Sequence, residues 1–97
     1  MNVPNLESAR KWTIKFESAA AKTGQKLPPN VRTRIIDFLE GRLATHANPR
    51  DLGAALAGKH AGHWRYRVGD YRIICKIEDQ IVTILVIEIG HRRQIYR

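Results

Sequence analysis

The sequence predicts an α+β fold in the order β-α-α-β-β-β, an antiparallel sheet with two N-terminal helices packed on one face. Three observations predict it. Apolar residues recur at three-to-four spacing between residues 29 and 44, the period of a helix. From His63 onward the pattern switches to three strand-like runs, 63–68, 71–78 and 81–89. The gaps between them, Gly69-Asp70 and Glu78-Asp79-Gln80, are short enough that only hairpins fit, which makes the three strands an antiparallel meander.

Each element has a local cause. Residues 1–10 contain Pro4 and Asn5 and lack periodicity, so they are expected to be an extension, with a single domain over 11–97. Trp12-Thr-Ile-Lys-Phe16 alternates and reads as the first strand. A helix should follow, with Ser18 as its N-cap and Ala19, Ala20 and Ala21 favouring it; Gly24 weakens it and Pro28-Pro29 ends it. The second helix, from about Pro29 to Ala44, carries Val31, Ile35, Ile36, Phe38, Leu39 and Leu43 as one apolar stripe. Residues 48–62, with Pro49, Gly53, Gly58 and Gly62, read as a long connection that Leu52 and Leu56 pin to the core.

Composition narrows the class. Ninety-seven residues suffice for one core. The longest apolar run, 81–89, is interrupted by Thr83 and Glu88 and is about half the ~20 residues of a spanning helix. Glu7, Arg10 and Lys11 stand where a secretory signal would be apolar, so a cytoplasmic protein without membrane contact is expected. The lone Cys75 excludes an internal disulfide and reads as a buried small hydrophobe. A net charge of +8 points to an anionic partner, though sign alone does not choose among nucleic acid, an acidic protein and a lipid surface.

The arrangement of charge says more. A two-residue Gly69-Asp70 turn pairs Val68 with Tyr71 and so fixes the register. Trp64, Tyr66, Val68, Tyr71, Ile73, Cys75 and Ile77 then share an apolar face that must cover the helices. His63, Arg65, Arg67, Arg72, Ile74 and Lys76 share the other, with Arg67 directly across from Arg72. Facing like charges destabilise a ladder by roughly 0.2–1 kcal/mol per pair. No carboxylate lies at the intervening positions of these two strands. Such a cluster is better explained by an anionic ligand than by folding. In the last strand, a three-residue loop at 78–80 would turn Ile81, Thr83, Leu85, Ile87 and Ile89 towards the helices, with Glu88, Gly90 and Arg92 outward; the alternative two-residue loop would bury Glu88. The C-terminal His91-Arg92-Arg93-Gln-Ile-Tyr96-Arg97 then leaves the sheet beside the arginines.

On Trp64-Arg-Tyr-Arg-Val-Gly-Asp-Tyr-Arg-Ile-Ile74, Val86-Ile-Glu-Ile-Gly-His-Arg-Arg-Gln-Ile-Tyr96 and Asn48-Pro-Arg-Asp-Leu-Gly53, the chain resembles the RelE/ParE superfamily of toxins over residues 12–97, closest to the RelE branch. The resemblance implies a RelE-like microbial ribonuclease fold and a toxin that enters the ribosomal A site and cuts messenger RNA without metal or other cofactor. It also implies a cognate antitoxin wrapped around the toxin, the pair binding operator DNA through the antitoxin. By position, the family's strand basic residues fall on Arg65 and Arg67, its hairpin arginine on Arg72, its post-strand arginine on Arg92 and its C-terminal tyrosine on Tyr96. His63, Lys76 and Arg93 are expected to add RNA contacts.

The best-known family pattern has lysines on the strand, and here they are arginines. A guanidinium binds phosphate in bidentate fashion and neutralises transition-state charge, but with a pKa above about 12 it is a very poor base. Proton transfer is therefore expected of Tyr96 or His91. Two other functions stay open: a gyrase-inhibiting toxin on the same scaffold, and a non-catalytic module whose basic face binds an antitoxin or nucleic acid. The His60/His63 spacing lacks a nearby acidic ligand and does not suggest zinc. Trp12 and Trp64 read as core.

Overall fold

The computed structural model describes residues 11–92; the expected extension at 1–10, Arg93 and Tyr96 lie outside the described residues. Strand β1 (Thr13–Phe16) leads into helix α1 (Ser18–Lys26) and helix α2 (Pro29–Ile36). A two-residue strand β2 (Ala54–Ala55) precedes β3 (Trp64–Val68), β4 (Tyr71–Glu78) and β5 (Thr83–His91). The sheet has five strands in the order β1-β5-β4-β3-β2. The meander is antiparallel, as its short turns require, but β1 joins the edge of β5 in parallel, Thr13 beside Thr83 and Phe16 beside Val86. The sheet is therefore mixed, not purely antiparallel. No helix among the described residues is long and apolar enough to cross a membrane.

The helices form for the expected reasons, with two corrections. The α1 N-cap is Glu17, not Ser18, and no side chain caps it; Ser18 is the first helical residue. Helix α2 starts on Pro29, where a missing N–H costs nothing, and from Asp37–Leu43 it widens into π-helical turns. The Ala44 N–H accordingly reaches back five residues to the Leu39 carbonyl, at 2.9 Å. Leu39 and Leu43 are completely buried, whereas Ile36, also on the expected stripe, is 39% exposed.

The core lies between the helices and the inner sheet face. It contains Ile35, Leu39, Leu43, Tyr66, Ile73, Cys75, Ile84, Val86 and Ile89, with Trp12 against it and Trp64, Val68, Tyr71 and Ile77 at its margins. Burial pushes the Cys75 thiol far above its ordinary range, so it is an inert core group.

The connection at 48–62 is more ordered than expected. Asn48 Oδ1 accepts from the Arg50 N–H, starting a short turn over Pro49–Leu52, and β2 then pairs Ala54 with Arg65 and Ala55 with Trp64. The buried Tyr66 hydroxyl donates to the Pro49 carbonyl at 2.8 Å. Arg50 makes a two-pronged ion pair with Asp79 at 3.1 and 2.6 Å, fastening this connection to the β4–β5 turn. Leu52 packs at the core margin.

The β4–β5 connection corrects the expected register. β4 runs through Glu78, a tight turn covers Asp79–Ile81, and Val82 takes a left-handed conformation at φ 49°, ψ 49° before Thr83 pairs with Glu78. Ile81 and Val82 are thus exposed at a turn tip, and Ile84 and Val86 face the helices in place of Thr83, Leu85 and Ile87. A bulge then intervenes: Cys75 pairs with Val86 but Ile74 pairs with Glu88, leaving Ile87 as the extra residue. Parity reverses there. Ile89 points inward and Glu88 outward, as expected, though through the bulge and not the loop.

Two measurements probe these ties. A Cβ on Gly53 would stand 2.6 Å from Tyr66 Cε1 and 3.0 Å from the Arg65 carbonyl oxygen. Gly53→Ala should therefore lower stability by about 1–3 kcal/mol in denaturant titration, the usual cost of overpacking. The hydrogen bond from Arg50 holds the Asp79 carboxyl below the usual carboxylate range. That contribution is complete above the unfolded-state pKa and is lost as pH falls through the lowered folded-state one. Wild type should melt above Asp79→Asn near neutrality, and the difference should vanish on acidification.

Candidate nucleic-acid interface

The outer face of the sheet is built in rows across β3, β4 and β5. One row is Arg67, Arg72 and Gly90; the next is Arg65, Ile74 and Glu88. Beyond them Lys76 pairs with Leu85, and Leu85 with Lys15 of β1. Facing residues on adjacent strands have Cα atoms about 4.5–5.5 Å apart, so Arg67 and Arg72 are immediate neighbours. Arg65 is two residues along, roughly 6.6 Å away.

This face is not uniformly open, as two helices on one side alone would imply. Arg72 is 6% exposed and Ile74 is 1% exposed, while Arg67, Lys76 and Glu88 are solvent-facing and Arg65 is half-buried. Arg72 Nη1 donates to the Tyr71 carbonyl at 3.4 Å. A buried guanidinium of fixed position, flanked by exposed ones, suits charge stabilisation, because it needs no reorganisation when an anion arrives. Gly90 places no side chain beside it.

The hairpin end organises the remaining residues. The Arg92 N–H donates to the Asp70 carbonyl at 2.8 Å, so the chain leaves β5 tied to the Gly69-Asp70 turn, and Arg92 is exposed there. Arg65, Arg67, Arg72 and Arg92 thus gather at one end of the sheet. Lys76 shares their face but lies four residues from Arg72, about 13 Å along the strand. His63 precedes β3, half-buried, with Nδ1 sealed from solvent and without a hydrogen bond.

His91 departs from expectation. It pairs with Tyr71 and meets it edge-on, ring centroids 5.6 Å apart. Tyr71 packs against the core, and a cavity of about 290 Å³ there is lined by Lys26, Leu27, Pro28, Tyr71 and His91. The ring is therefore on the helix side of the sheet. One residue of parity separates it from the arginines: Gly90 faces them, and His91 cannot.

Sequence reasoning noted Glu88 as outward without assigning it a role. In the structure it is the carboxylate that shares a row with Arg65 and adjoins the row of Arg72. Among the described residues no cluster of three or more His, Cys, Asp or Glu side chains is placed to hold a metal ion. His60 and His63 have ring centroids 6.4 Å apart.

A small mixed sheet is backed by two helices, with guanidinium groups concentrated at one end of its outer face. Residues 11–96 match the family described as ParE toxin of type II toxin-antitoxin system, parDE. Toxin RelG of Mycobacterium tuberculosis is 31% identical over 86 residues, spanning 89% of this chain and 97% of that one. Toxin RelE of the same organism is also 31% identical, spanning 89% of this chain and 87% of its own length. Among solved structures, the toxin-antitoxin complex RelBE2 from M. tuberculosis superposes with a TM-score of 0.77 at 29% identity, covering 86% of this chain and 93% of that one. The isolated Escherichia coli RelE toxin shares the fold, with a TM-score of 0.66 at 22% identity over 82% of this chain and 83% of that one. The chain belongs to the RelE/ParE superfamily and is a toxin of a type II toxin-antitoxin system.

The facing arginines give a direct test. Arg67 is exposed and makes no ion pair with a described residue. Arg67→Thr removes the like-charge pair and should raise the melting temperature at low salt, by the equivalent of roughly 0.2–1 kcal/mol. The gain should shrink as salt screens the wild-type repulsion.

Proposed function

We propose that this toxin is an endoribonuclease that cuts messenger RNA in the A site of translating ribosomes and is silenced by a cognate antitoxin. The observation that carries the proposal is the Arg67/Arg72 pair, flanked by Arg65 and Arg92, at one end of the outer sheet face. In RNA cleavage the 2′-hydroxyl attacks the adjacent phosphorus, and negative charge accumulates on the nonbridging oxygens. Arg72, buried and fixed, is assigned to that charge; Arg65, Arg67 and Arg92 hold the flanking phosphates. Tyr96 is assigned to stack on a base or to move a proton, and Lys76, His63 and Arg93 to peripheral contacts with RNA. The reaction as drawn uses side chains alone.

The named relatives support this reading, since they are toxins RelG and RelE, and the M. tuberculosis structure is a toxin-antitoxin complex. An antitoxin for this chain would carry acidic and apolar side chains, to match a basic face and the apolar cleft lined by Phe16, Leu27, Ile35, Ile36 and Ile89. Operator DNA would be met only through that partner, and the site of action is the cytoplasm. A second reading, inhibition of gyrase, has one observation in its favour: the matching family is described by its ParE members. The dense guanidinium set favours the nuclease.

Primer extension on messages translated in a cell-free system tests the proposal. Cuts should appear at codon positions only while ribosomes translate, and Arg72→Ala should slow them about 10²–10³-fold, the usual loss for one oxyanion-stabilising donor. An intact message together with double-strand DNA breaks in expressing cells would replace the nuclease by the gyrase reading.

A further inference from the structure

We infer that Glu88 is the base that takes the proton from the attacking 2′-hydroxyl. The inference rests on the nuclease reading and names a group which that reading leaves open. Arginine cannot serve, because it stays protonated at any physiological pH. His91 is turned to the helix side with Tyr71. The charged groups that face the arginine end are Arg65 and Arg67 on β3, Arg72 and Lys76 on β4, and Arg92 after β5, with Lys15 on β1 further off. Glu88 is the carboxylate among them. Glu78 shares the face but lies four residues beyond Ile74, about 13 Å along β4. Asp70 lines a cleft with Val31 and Arg34 on the helix side.

Position and availability both fit. Glu88 and Arg65 flank Ile74 in one row, two strand spacings apart, about 9–10 Å between backbones. Ile74 between them is buried, so a phosphodiester held by the Arg65 guanidinium would be met by the Glu88 carboxylate at the tips of the two side chains, with Arg72 in the adjoining row. Glu88 is exposed and forms no ion pair with a described residue, so its carboxylate is not committed to a structural partner.

The β5 bulge is the second, independent observation. Continued without a bulge, the ladder that pairs Cys75 with Val86 would place Ile87 opposite Ile74 and bring Glu88 opposite Ile73, inside the core. The bulge reverses parity at one point and delivers the carboxylate to the arginine face. Bulges beside active sites re-aim side chains in this way.

The step balances. The Glu88 carboxylate accepts the 2′-hydroxyl proton as the 2′-oxygen bonds to phosphorus. The bond from phosphorus to the 5′-oxygen breaks, and that oxygen takes a proton from water. A 2′,3′-cyclic phosphate and a 5′-hydroxyl result, and Glu88 returns its proton to the hydroxide left in solvent.

Single-turnover cleavage on programmed ribosomes, followed from about pH 5 to pH 9, separates a base from a charge that merely tempers the basic field. Glu88→Gln should lower the cleavage rate constant about 10²–10⁴-fold. The half-saturating toxin concentration should be unchanged or lower, since a repulsive charge is gone. The wild-type rise in rate with pH should flatten in Glu88→Gln, and Glu88→Asp should recover part of the rate. Melting curves confirm that each variant is folded. Glu88→Gln cleaving as fast as wild type, with Arg72→Ala inactive, would overturn the assignment and leave the nuclease standing. Wild-type protein that leaves the message intact on translating ribosomes would overturn both.

Discussion

Gly69 sits at φ +59° in the turn between β3 and β4, and Asp70 beside it does not adopt a positive φ. That is the type II′ pattern, whose twist matches the flanking strands and which places glycine first. The turn leaves one choice of register, Val68 with Tyr71, and every side chain of the hairpin is thereby assigned to a face. Tyr66, Ile73 and Cys75 enter the core, and Arg65, Arg67 and Arg72 gather on the other side. The same turn accepts the Arg92 N–H and lies against the Arg34 guanidinium, 3.3 Å from where a Cβ on Gly69 would be. Core and site thus depend on one two-residue turn, which explains how a short chain can hold several like charges together.

The second half of the sheet depends on two irregularities. With Val82, a β-branched residue in the left-handed region, the β4–β5 connection runs over four residues, 79–82, one more than the expected three-residue loop, and parity shifts. The bulge at Ile87 shifts it back. Between the two, Ile84 and Val86 face the core; beyond the second, Glu88 faces the arginines. The bulge leaves Ile87 unpaired and has no packing advantage of its own, since an unbulged strand would need only an apolar residue at position 88. Its effect is to let a charged residue and Ile89 occupy the faces that suit them.

What the sequence made legible follows from this contrast. A glycine-containing two-residue turn is a strong local signal, and from it the inner and outer faces of β3 and β4 can be written down residue by residue. The helix over 29–44 was equally plain in its apolar period, though its π-helical second half was not, because a shift from i→i+4 to i→i+5 bonding scarcely disturbs the spacing of Leu39 and Leu43. The β4–β5 parity at Thr83, Leu85 and Ile87 is not legible in the sequence, since alternating isoleucines, leucines and valines look alike from either side. Glu88 alone distinguished the faces, and it gave the right orientation near the site for an incomplete reason. His91 is adjacent to Arg92 in sequence but not to the arginines in space, because in a strand neighbouring residues are on opposite sides. The parallel pairing of β1 with β5 joins the two ends of the domain and has no local signature.

Substituting arginine for lysine on the strand divides two duties that a lysine can combine. An ammonium group can lower its pKa on burial and exchange a proton; a guanidinium holds its charge and its fork geometry under all relevant conditions. Arginines at 65, 67 and 72 are therefore suited to holding phosphate and stabilising charge and unsuited to proton transfer. A titratable group must then enter the same face from elsewhere. On β5 the adjacent row offers Gly90, which has no side chain, and Glu88, which the bulge has turned outward. A carboxylate also offsets part of the repulsion among the guanidinium groups, so the feature that would supply the base also makes the cluster less costly to fold. Its acid–base role and its electrostatic role oppose each other in RNA binding, because a charge that eases folding also repels phosphate. A neutral isostere at this position therefore separates the two: it removes the repulsion and the base together, and the rate must fall with no loss of affinity if the carboxylate does chemistry.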